Sequence, residues 1–301
     1  MTMKKAVWDH RGRLRAGWRI ALYASMVFVA TWIAISIYGV IAHVHAPNQT
    51  EALPTGMTIA IYLSLLVAVS VPALVMLRFV DGGSGKALGF AFHDRVGIEA
   101  LQGILQGTSM VAVIFIVEWV AGCIAAGWSG LQPSSVVRSF GYSLALFAAA
   151  AAFEETLLRG YTFQVLIQGI GKTGAVCLTS VFFGLFHLMN PNVGALAVFN
   201  SMLAGVWLSI AYIKTRSLWL PSSLHMFWNL TQGYIFGFPI SGVPISESLM
   251  SISQYGEGWV TGGRYGPEGG VISSFVLILG TIYLLRSKKI KPSKGAVSVW
   301  R

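Results

Sequence analysis

Long apolar segments, separated by short polar ones, dominate the pattern of hydrophobic positions along this chain. A helix needs about 20 apolar residues to cross the hydrocarbon core of a bilayer. The segments that meet this requirement are residues 19–44, 57–78, 101–126, 140–167, 173–189, 193–213, 218–236 and 270–286. The pattern therefore predicts eight transmembrane helices.

Composition supports this interpretation. Of the 301 residues, 55% are hydrophobic and 11% are charged, whereas about 25% of the residues of a soluble domain are charged. The low charged fraction excludes a soluble globular protein, and the high hydrophobic fraction excludes a disordered chain. A disulfide scaffold is excluded because there are only two cysteines. We predict an all-α polytopic membrane protein. No internal repeat or linker divides it, so we expect one bundle over residues 1–301.

The basic residues predict the orientation of the bundle. With both termini cytoplasmic, 19 of the 21 Lys and Arg residues lie in the inner segments, and only Arg138 and Arg264 lie outside. Cytoplasmic loops of membrane proteins carry such an excess, so the net charge of +10 implies no nucleic-acid partner. Basic tails suit an anionic inner leaflet, which favours a bacterial inner membrane.

Three ionisable residues stand together in the fourth segment. A charged side chain near the membrane centre costs about 3 kcal/mol on insertion scales, so such residues are functional candidates. Glu155 and Arg159 are four residues apart and share a helix face, whereas Glu154 points about 100° away. We expect Glu155 to be held ionised by Arg159 and Glu154 to be a free base. A surface ion pair at a helix end is the alternative.

A histidine in the fifth segment is expected at the depth of Glu154. The turn 169–172 has its centre midway between Glu154 and His187 in sequence, so an antiparallel hairpin brings the two residues to the same level. Phe183, one turn from His187, is expected to pack beside it. A hydrogen-bonded structural histidine is the alternative.

His225 and Asn229 share one face of the seventh segment. Two polar groups on one stripe indicate a shared site, although interhelical hydrogen bonds would also explain them. To align His225 with Glu154, the fourth and fifth helices must protrude into the cytoplasm. The connection 190–192 must then be covered by protein or wet.

The remaining polar residues receive structural interpretations. We expect Glu118 to be a hydrogen-bonding structural residue. Asn200, Ser201 and Gly205 are expected to allow close helix packing. The outer segment 237–269 is predicted to be an irregular loop.

One carboxylate, two histidines and an amide suit the hydrolysis of a peptide bond by activated water. In a metal version, Glu154, His187 and His225 hold zinc, which acidifies its bound water. In a metal-free version, Glu154 with His187 deprotonates the water, and His225 with Asn229 stabilises the oxyanion. The chain lacks the His-Glu-x-x-His zinc motif, which favours the metal-free version and leaves both open.

These residues resemble the motifs of a known family. Glu154-Glu155-x-x-x-Arg159, Phe183-x-x-x-His187 and His225-x-x-x-Asn229, in this order over residues 140–235, are similar to those of the CAAX protease and bacteriocin-processing (CPBP, or Abi) family. The resemblance implies an eight-helix intramembrane endopeptidase with Glu154 as base. His187, His225 and Asn229 would surround the catalytic water or metal, with Glu155 and Arg159 in the first motif.

The implied substrate is a membrane-associated protein or peptide within the lipid bilayer. Some relatives in this family act as immunity factors or scaffolds, so a noncatalytic membrane scaffold or bacteriocin-immunity-type protein with the same fold is the second hypothesis. A proton-coupled transporter is a third, since buried Glu and His form proton relays. The absence of an inverted repeat in the sequence argues against it.

Overall fold

A computed structural model describes residues 7–9, 12–45, 55–295 and 297. Lys4, Lys5, Arg11 and Arg301, which entered the charge count, lie outside the described residues. Within the described part, five helical runs are long and apolar enough to cross a membrane, and a shorter helix near the C-terminus is also apolar. The protein is therefore a helical membrane protein, as predicted.

Eight helices of eleven or more residues form the described bundle. In chain order they are α1 (Ala16–His45), α2 (Thr55–Val75), α3 (Val96–Val120), α4 (Pro133–Glu155), α5 (Tyr161–Phe186), α6 (Ala195–Thr215), α7 (Trp219–Asn229) and α8 (Val271–Arg286). Turns of π-helix extend α2 at Met76–Val80 and α7 at Leu230–Ile235. Short helical turns lie at Gly85–Leu88, His187–Met189, Gly258–Thr261, Gly263–Tyr265 and Pro267–Gly269.

The fourth and fifth predicted segments lie in one helical run, Pro133–Met189. A π-turn, Thr156–Gly160, joins α4 to α5. The run reverses at Gly171, where φ is +75°, a conformation that glycine adopts without steric cost. The reversal falls within the turn that the sequence predicts at residues 169–172.

A two-stranded antiparallel sheet joins two connections of the bundle. Strand β1 (Ile124–Trp128) pairs with β2 (Met250–Gln254). The predicted third span, residues 101–126, is wrong at both ends, because α3 begins at Val96 and the chain enters β1 after Val120. The expected loop 237–269 is mostly irregular but contains β2. We call the end of the bundle that carries this sheet the sheet end.

The other end of the bundle, which we call the tail end, consists of residues 81–95 and 287–295. Arg95 donates from Nη2 to the carbonyl of Lys289 at 2.8 Å, and Ser293 donates to the carboxylate of Asp94. Lys214, at the end of α6, donates to the carbonyl of Ser287 at 2.8 Å. The C-terminal segment is thus fixed to the connection between α2 and α3.

Two glycines allow α3 and α7 to pack closely. An added Cβ atom at Gly103 would lie 2.3 Å from Cβ of Ser223, and one at Gly107 would lie 2.8 Å from the carbonyl oxygen of Leu224. Small residues four apart are typical of close helix contacts in membranes. The largest apolar cluster surrounds this contact, and Ile114, Leu208 and Leu224 are buried in it. This packing fixes the helix that carries His225 and Asn229.

Two structural interpretations from the sequence need correction. Glu118 is fully buried, and its carboxylate has no hydrogen-bond partner among the described residues, so it is not the hydrogen-bonding residue that we expected. Gly205 does allow close packing, because its Cβ would lie 2.7 Å from Cα of Ser180. Asn200, however, is a hydrogen-bonding residue rather than a packing residue: its Nδ2 donates to the carbonyls of Glu268 and Gly270.

Candidate active site

The first motif lies where α4 passes into its π-turn. Glu155 and Arg159 form a fully buried ion pair, with Nη1 of Arg159 3.0 Å from Oε1 of Glu155. Nη2 of Arg159 donates to the carbonyl of Gly205 at 3.0 Å. The predicted pairing of these two residues is therefore present, and Arg159 also ties α4 to α6. Isolated π-turns inside α-helices are frequent at functional sites.

Phe183 joins the three motifs. Its ring lies under the Arg159 guanidinium, whose central carbon is 4.9 Å from the ring centroid. The same ring packs edge-on against His187 at 4.8 Å and against His225 at 6.0 Å between centroids. The expected contact between Phe183 and His187 is thus present. One aromatic ring orients both histidines and covers the buried cation.

His225 reaches both carboxylates of the first motif. Its Nδ1 lies 3.2 Å from Oε1 of Glu155, and its Nε2 lies 3.8 Å from Oε2 of Glu154. Oε1 of Glu155 also accepts from Nη1 of Arg159. Since this oxygen is an acceptor, Nδ1 of His225 carries the hydrogen. Nε2 is then directed at Glu154, whose side chain is 29% exposed.

His187 lies in the same cavity but pairs differently. Its Nδ1 donates to the carbonyl of Phe183 at 2.7 Å, so in the neutral ring Nε2 is an acceptor. Both His187 and Glu154 face the cavity, yet the histidine that approaches Glu154 within 4 Å is His225. Sequence register therefore brings His187 to the site, whereas tertiary packing selects His225 as the partner of the carboxylate.

The cavity that contains these groups has a volume of about 480 Å³. It is lined by α2, the second half of α4, the end of α5, α6, α7 and α8, and Glu154, His187, His225 and Asn229 all belong to its lining. The remaining walls are mainly apolar and include Tyr62, Phe147 and Ile245. A polar cluster inside an apolar cavity is the usual form of a small binding or catalytic site.

Sequence reasoning missed the part of the site at the sheet end. Ser241 and Glu268, from the connection between α7 and α8, also line the cavity. Glu268 accepts hydrogen bonds from Trp228 and from Ser241. No local motif marks these residues, and the only signal was the acidic character of an otherwise irregular loop.

The same connection covers the turn between α5 and α6. An added Cβ atom at Gly242 would lie 1.9 Å from the carbonyl oxygen of Pro191, so the two backbones are in direct contact. The sequence required that the connection 190–192 be covered by protein or exposed to water, and the segment around Gly242 covers part of it.

The predicted zinc ligands Glu154, His187 and His225 do not form a preassembled metal site. Among the residues that the structure describes, no three or more His, Cys, Asp or Glu side chains are grouped closely enough to hold a metal ion. Nδ1 of His187 and Nδ1 of His225 are both engaged by protein acceptors, which leaves Nε2 of each ring for another ligand. Zinc binding by these three residues stays a prediction.

Comparisons with known proteins identify the segment that carries the motifs. Residues 136–231 match the family model described as type II CAAX prenyl endopeptidase Rce1-like. Over 247 residues the chain is 21% identical to NADH-quinone oxidoreductase subunit N of Brevibacillus brevis, a match that covers 74% of this chain and 46% of that protein. The chain thus spans about half the length of this curated relative. No solved structure matches the chain.

The family match includes all seven motif residues, from Glu154 to Asn229. It covers the π-turn, Phe183 and the two histidines that the fold brings together. The resemblance of residues 136–231 to the CAAX protease and bacteriocin-processing family is therefore confirmed, because this segment is similar to the type II CAAX prenyl endopeptidase Rce1-like family.

Proposed function

We propose that this protein is an intramembrane endopeptidase that hydrolyses a peptide bond of a membrane-associated protein or peptide. The observation that carries the proposal is the position of His225, which lies within 4 Å of both Glu154 and Glu155 and faces an apolar cavity together with Glu154. The similarity of residues 136–231 to CAAX prenyl endopeptidases supports the same reaction.

In the proposed mechanism, Glu155 and Arg159 position the reacting groups. Glu155 accepts from Nδ1 of His225 and thereby fixes the imidazole ring, while Arg159 balances the charge of Glu155. Removing either partner would leave a charge unpaired in a buried site, which is unfavourable. These two residues are positioning residues, and Glu154, His187, His225 and Asn229 face the substrate.

Glu154 acts as the general base. It takes one proton from a water molecule while the water oxygen attacks the peptide carbonyl carbon. His187 accepts a hydrogen bond from the same water through Nε2. Asn229 and the imidazolium form of His225, which carries a hydrogen on both ring nitrogens, donate to the negative oxygen of the tetrahedral intermediate. The proton on Glu154 then moves to the leaving nitrogen as the C–N bond breaks, so the products are a carboxylic acid and an amine. Such proton transfers contribute about 10²–10⁴-fold to the rate.

The test is cleavage of a membrane-peptide library by the purified, detergent-solubilised protein. Glu154→Gln should lower kcat by about 100-fold or more. Glu257→Gln is the matched control, because Glu257 is an exposed carboxylate outside the cavity. Full cleavage by Glu154→Gln would overturn the proposal.

The metal-free mechanism predicts that cleavage does not depend on zinc. A strong zinc chelator should leave the cleavage rate unchanged. Loss of cleavage on chelation, restored by added zinc and accompanied by zinc release in proportion to protein, would favour the metal version with Glu154, His187 and His225 as ligands.

The noncatalytic scaffold remains distinguishable from the enzyme. It requires the same fold but not the carboxylate of Glu154. Wild-type protein that cleaves no membrane peptide, together with a Glu154→Gln variant that keeps its biological activity, would favour the scaffold.

For the topology, we propose eight membrane-crossing segments with both termini in the cytoplasm of a bacterium, in its inner membrane. Two contacts support this arrangement. The pairing of β1 with β2 joins the connections after α3 and α7, and the bond from Arg95 to Lys289 joins the connection before α3 to the C-terminal segment. Alternating crossings would produce both contacts.

A further inference from the structure

The connection between α7 and α8 lies over the sheet end of the cavity. We call residues 239–245 the roof. Ile240, Ser241, Val243 and Ile245 of the roof all line the cavity, and three of these side chains are apolar. The roof is therefore a wall of the site as well as a link between helices.

Glu268 attaches the roof to α7. Its Oε2 accepts from the backbone N–H of Ser241 at 2.8 Å and from the Ser241 hydroxyl at 2.9 Å, and its Oε1 accepts from Nε1 of Trp228 at 3.2 Å. Hydrogen bonds to an ionised acceptor are roughly twice as strong as neutral ones. One carboxylate thus joins the roof to the residue next to Asn229.

Glu268 is itself fixed by α6. Nδ2 of Asn200 donates to the backbone carbonyls of Glu268 at 2.7 Å and of Gly270 at 2.8 Å, and Oδ1 of Asn200 accepts from Ser274 at 2.5 Å. All the hydrogen-bonding atoms of this buried amide are used. The position of the Glu268 carboxylate is therefore set by a rigid part of the bundle.

The roof has other contacts that do not involve Glu268. The N–H of Gly242 donates to the carbonyl of Tyr265 at 2.8 Å, and that of Val243 donates to the carbonyl of Ile240 at 2.9 Å. Nε2 of Gln232 donates to the carbonyl of Pro239 at 2.7 Å. These bonds report whether the roof as a whole stays in place when Glu268 is changed.

We propose that Glu268 is a positioning residue that holds the roof as an apolar, substrate-contacting wall of the cavity. This inference rests on the proposed protease function and adds the part of the site that receives an apolar segment of the substrate. Glu268 does not touch the reacting atoms in this role. It acts through the roof and Trp228.

Hydrogen–deuterium exchange of the purified full-length protein tests the role of Glu268 without any need for cleavage. In Glu268→Ala, the amides of Gly242 and Val243 should exchange about 10-fold faster, because release of the roof lowers their protection. Glu268→Gln keeps an acceptor oxygen and should give a smaller increase. Glu257→Ala is the matched control from the same connection and should leave exchange unchanged. The amides of β2 should be unaffected in all three variants.

Cleavage kinetics test the contact with substrate. Glu268→Ala should raise KM by about 10-fold and leave kcat nearly unchanged. The roof would contact the substrate equally in the ground state and in the transition state, so its release weakens substrate binding without changing the chemical step. Glu268→Gln should restore most of the KM.

Two results would overturn the proposal. One is unchanged exchange of Gly242 and Val243 in Glu268→Ala. The other is faster exchange throughout β2 and the helices, which would make Glu268 a general stability residue. Wild-type protein that cleaves nothing, combined with selective roof exchange, would reject the protease function and leave the attachment of the roof by Glu268 in place.

Discussion

At the scale of single residues, two buried carboxylates on α3 differ in their neighbours. Glu118 is fully buried without a hydrogen-bond partner among the described residues. The carboxylate oxygens of Glu99, which is also buried, have no hydrogen-bond partner among these residues either, but Nε2 of His93 lies 3.7 Å away. A buried polar group without a partner costs stability, and a polar neighbour reduces that cost.

We expect Glu118→Leu to stabilise the protein by about 1–3 kcal/mol and Glu99→Leu to stabilise it less, because Glu99 has His93 as a polar neighbour. The two substitutions are matched, because both replace a buried glutamate of the same helix. The measurement is the midpoint of thermal unfolding in detergent. A lower midpoint for Glu118→Leu would mean that its carboxylate has a role that the fold does not reveal.

His93 makes a prediction about pH. Burial lowers the pKa of His93, whose side chain is 3% exposed, and the neighbours Asp94 and Arg95 act in opposite directions. Nδ1 accepts from the Arg95 N–H at 3.2 Å, so protonation would break this bond. Between the ordinary pKa of about 6.5 and the lowered value, the unfolded chain binds more protons, and stability falls as pH falls.

Between about pH 7 and pH 5, the unfolding midpoint of the wild type should therefore decrease relative to that of His93→Gln. The buried Glu99 carboxylate, 3.7 Å from Nε2 of His93, is present in both proteins, so the difference between them isolates His93. Asp94 does not interfere, because the hydrogen bond from Ser293 lowers the pKa of this carboxylate and moves its titration further from this window. An identical pH dependence in both proteins would contradict the assignment.

Local spacing explains which site residues were found from the sequence. Glu155 with Arg159 and Phe183 with His187 are neighbours four residues apart, so one helix brings them together. The pairing of His225 with Glu154, and the contribution of Glu268, depend on how separate helices pack. No periodicity within one segment contains that information.

At the scale of elements, the contact between α3 and α7 decides where His225 lies. Gly107 faces the backbone of α7, with a virtual Cβ only 2.8 Å from the Leu224 carbonyl and 3.1 Å from the Trp228 nitrogen. Backbone atoms of a helix do not move aside as a flexible side chain does. Any side chain at this position must therefore displace the turn that carries His225 and Asn229.

Gly107→Ala should destabilise the protein by about 1–3 kcal/mol, as overpacking does, and should lower kcat for peptide cleavage. Gly97→Ala on the same helix is the control, because nothing lies within 4 Å of its virtual Cβ, and it should be neutral or slightly stabilising. Thermal unfolding and cleavage rates measure both effects. Equal behaviour of the two variants would show that α7 is not fixed by this contact.

Element boundaries show what hydropathy alone leaves undetermined. The third predicted span ran on to residue 126, because the residues after Val120 are as apolar as those of the helix. Their pairing with β2, more than 120 residues later, turns them into a strand. The π-turns after Glu155 and Asn229 were likewise not predicted from hydropathy. By contrast, the reversal at Gly171 was predictable, because the two glycines of the turn 169–172 indicate a break between helices in the sequence itself.

At the scale of the whole molecule, the two ends of the bundle differ in charge and in secondary structure. The sheet end carries β1, β2 and the roof, whereas the tail end carries the segment 287–295, with Lys288, Lys289, Lys291 and Lys294. Lys and Arg concentrate in cytoplasmic loops. The tail end should therefore face the cytoplasm and the sheet end the opposite side.

Single-cysteine variants in a Cys123→Ser, Cys177→Ser background test this orientation. Glu257→Cys at the sheet end and Lys294→Cys at the tail end both replace exposed residues. With a membrane-impermeant maleimide, Glu257→Cys should react in intact spheroplasts and Lys294→Cys only after permeabilisation. The reverse pattern would place the C-terminus outside, and labelling of both in intact spheroplasts would place the two ends on one side. Because the roof belongs to the sheet end, this measurement also determines on which side of the membrane the roof of the cavity lies.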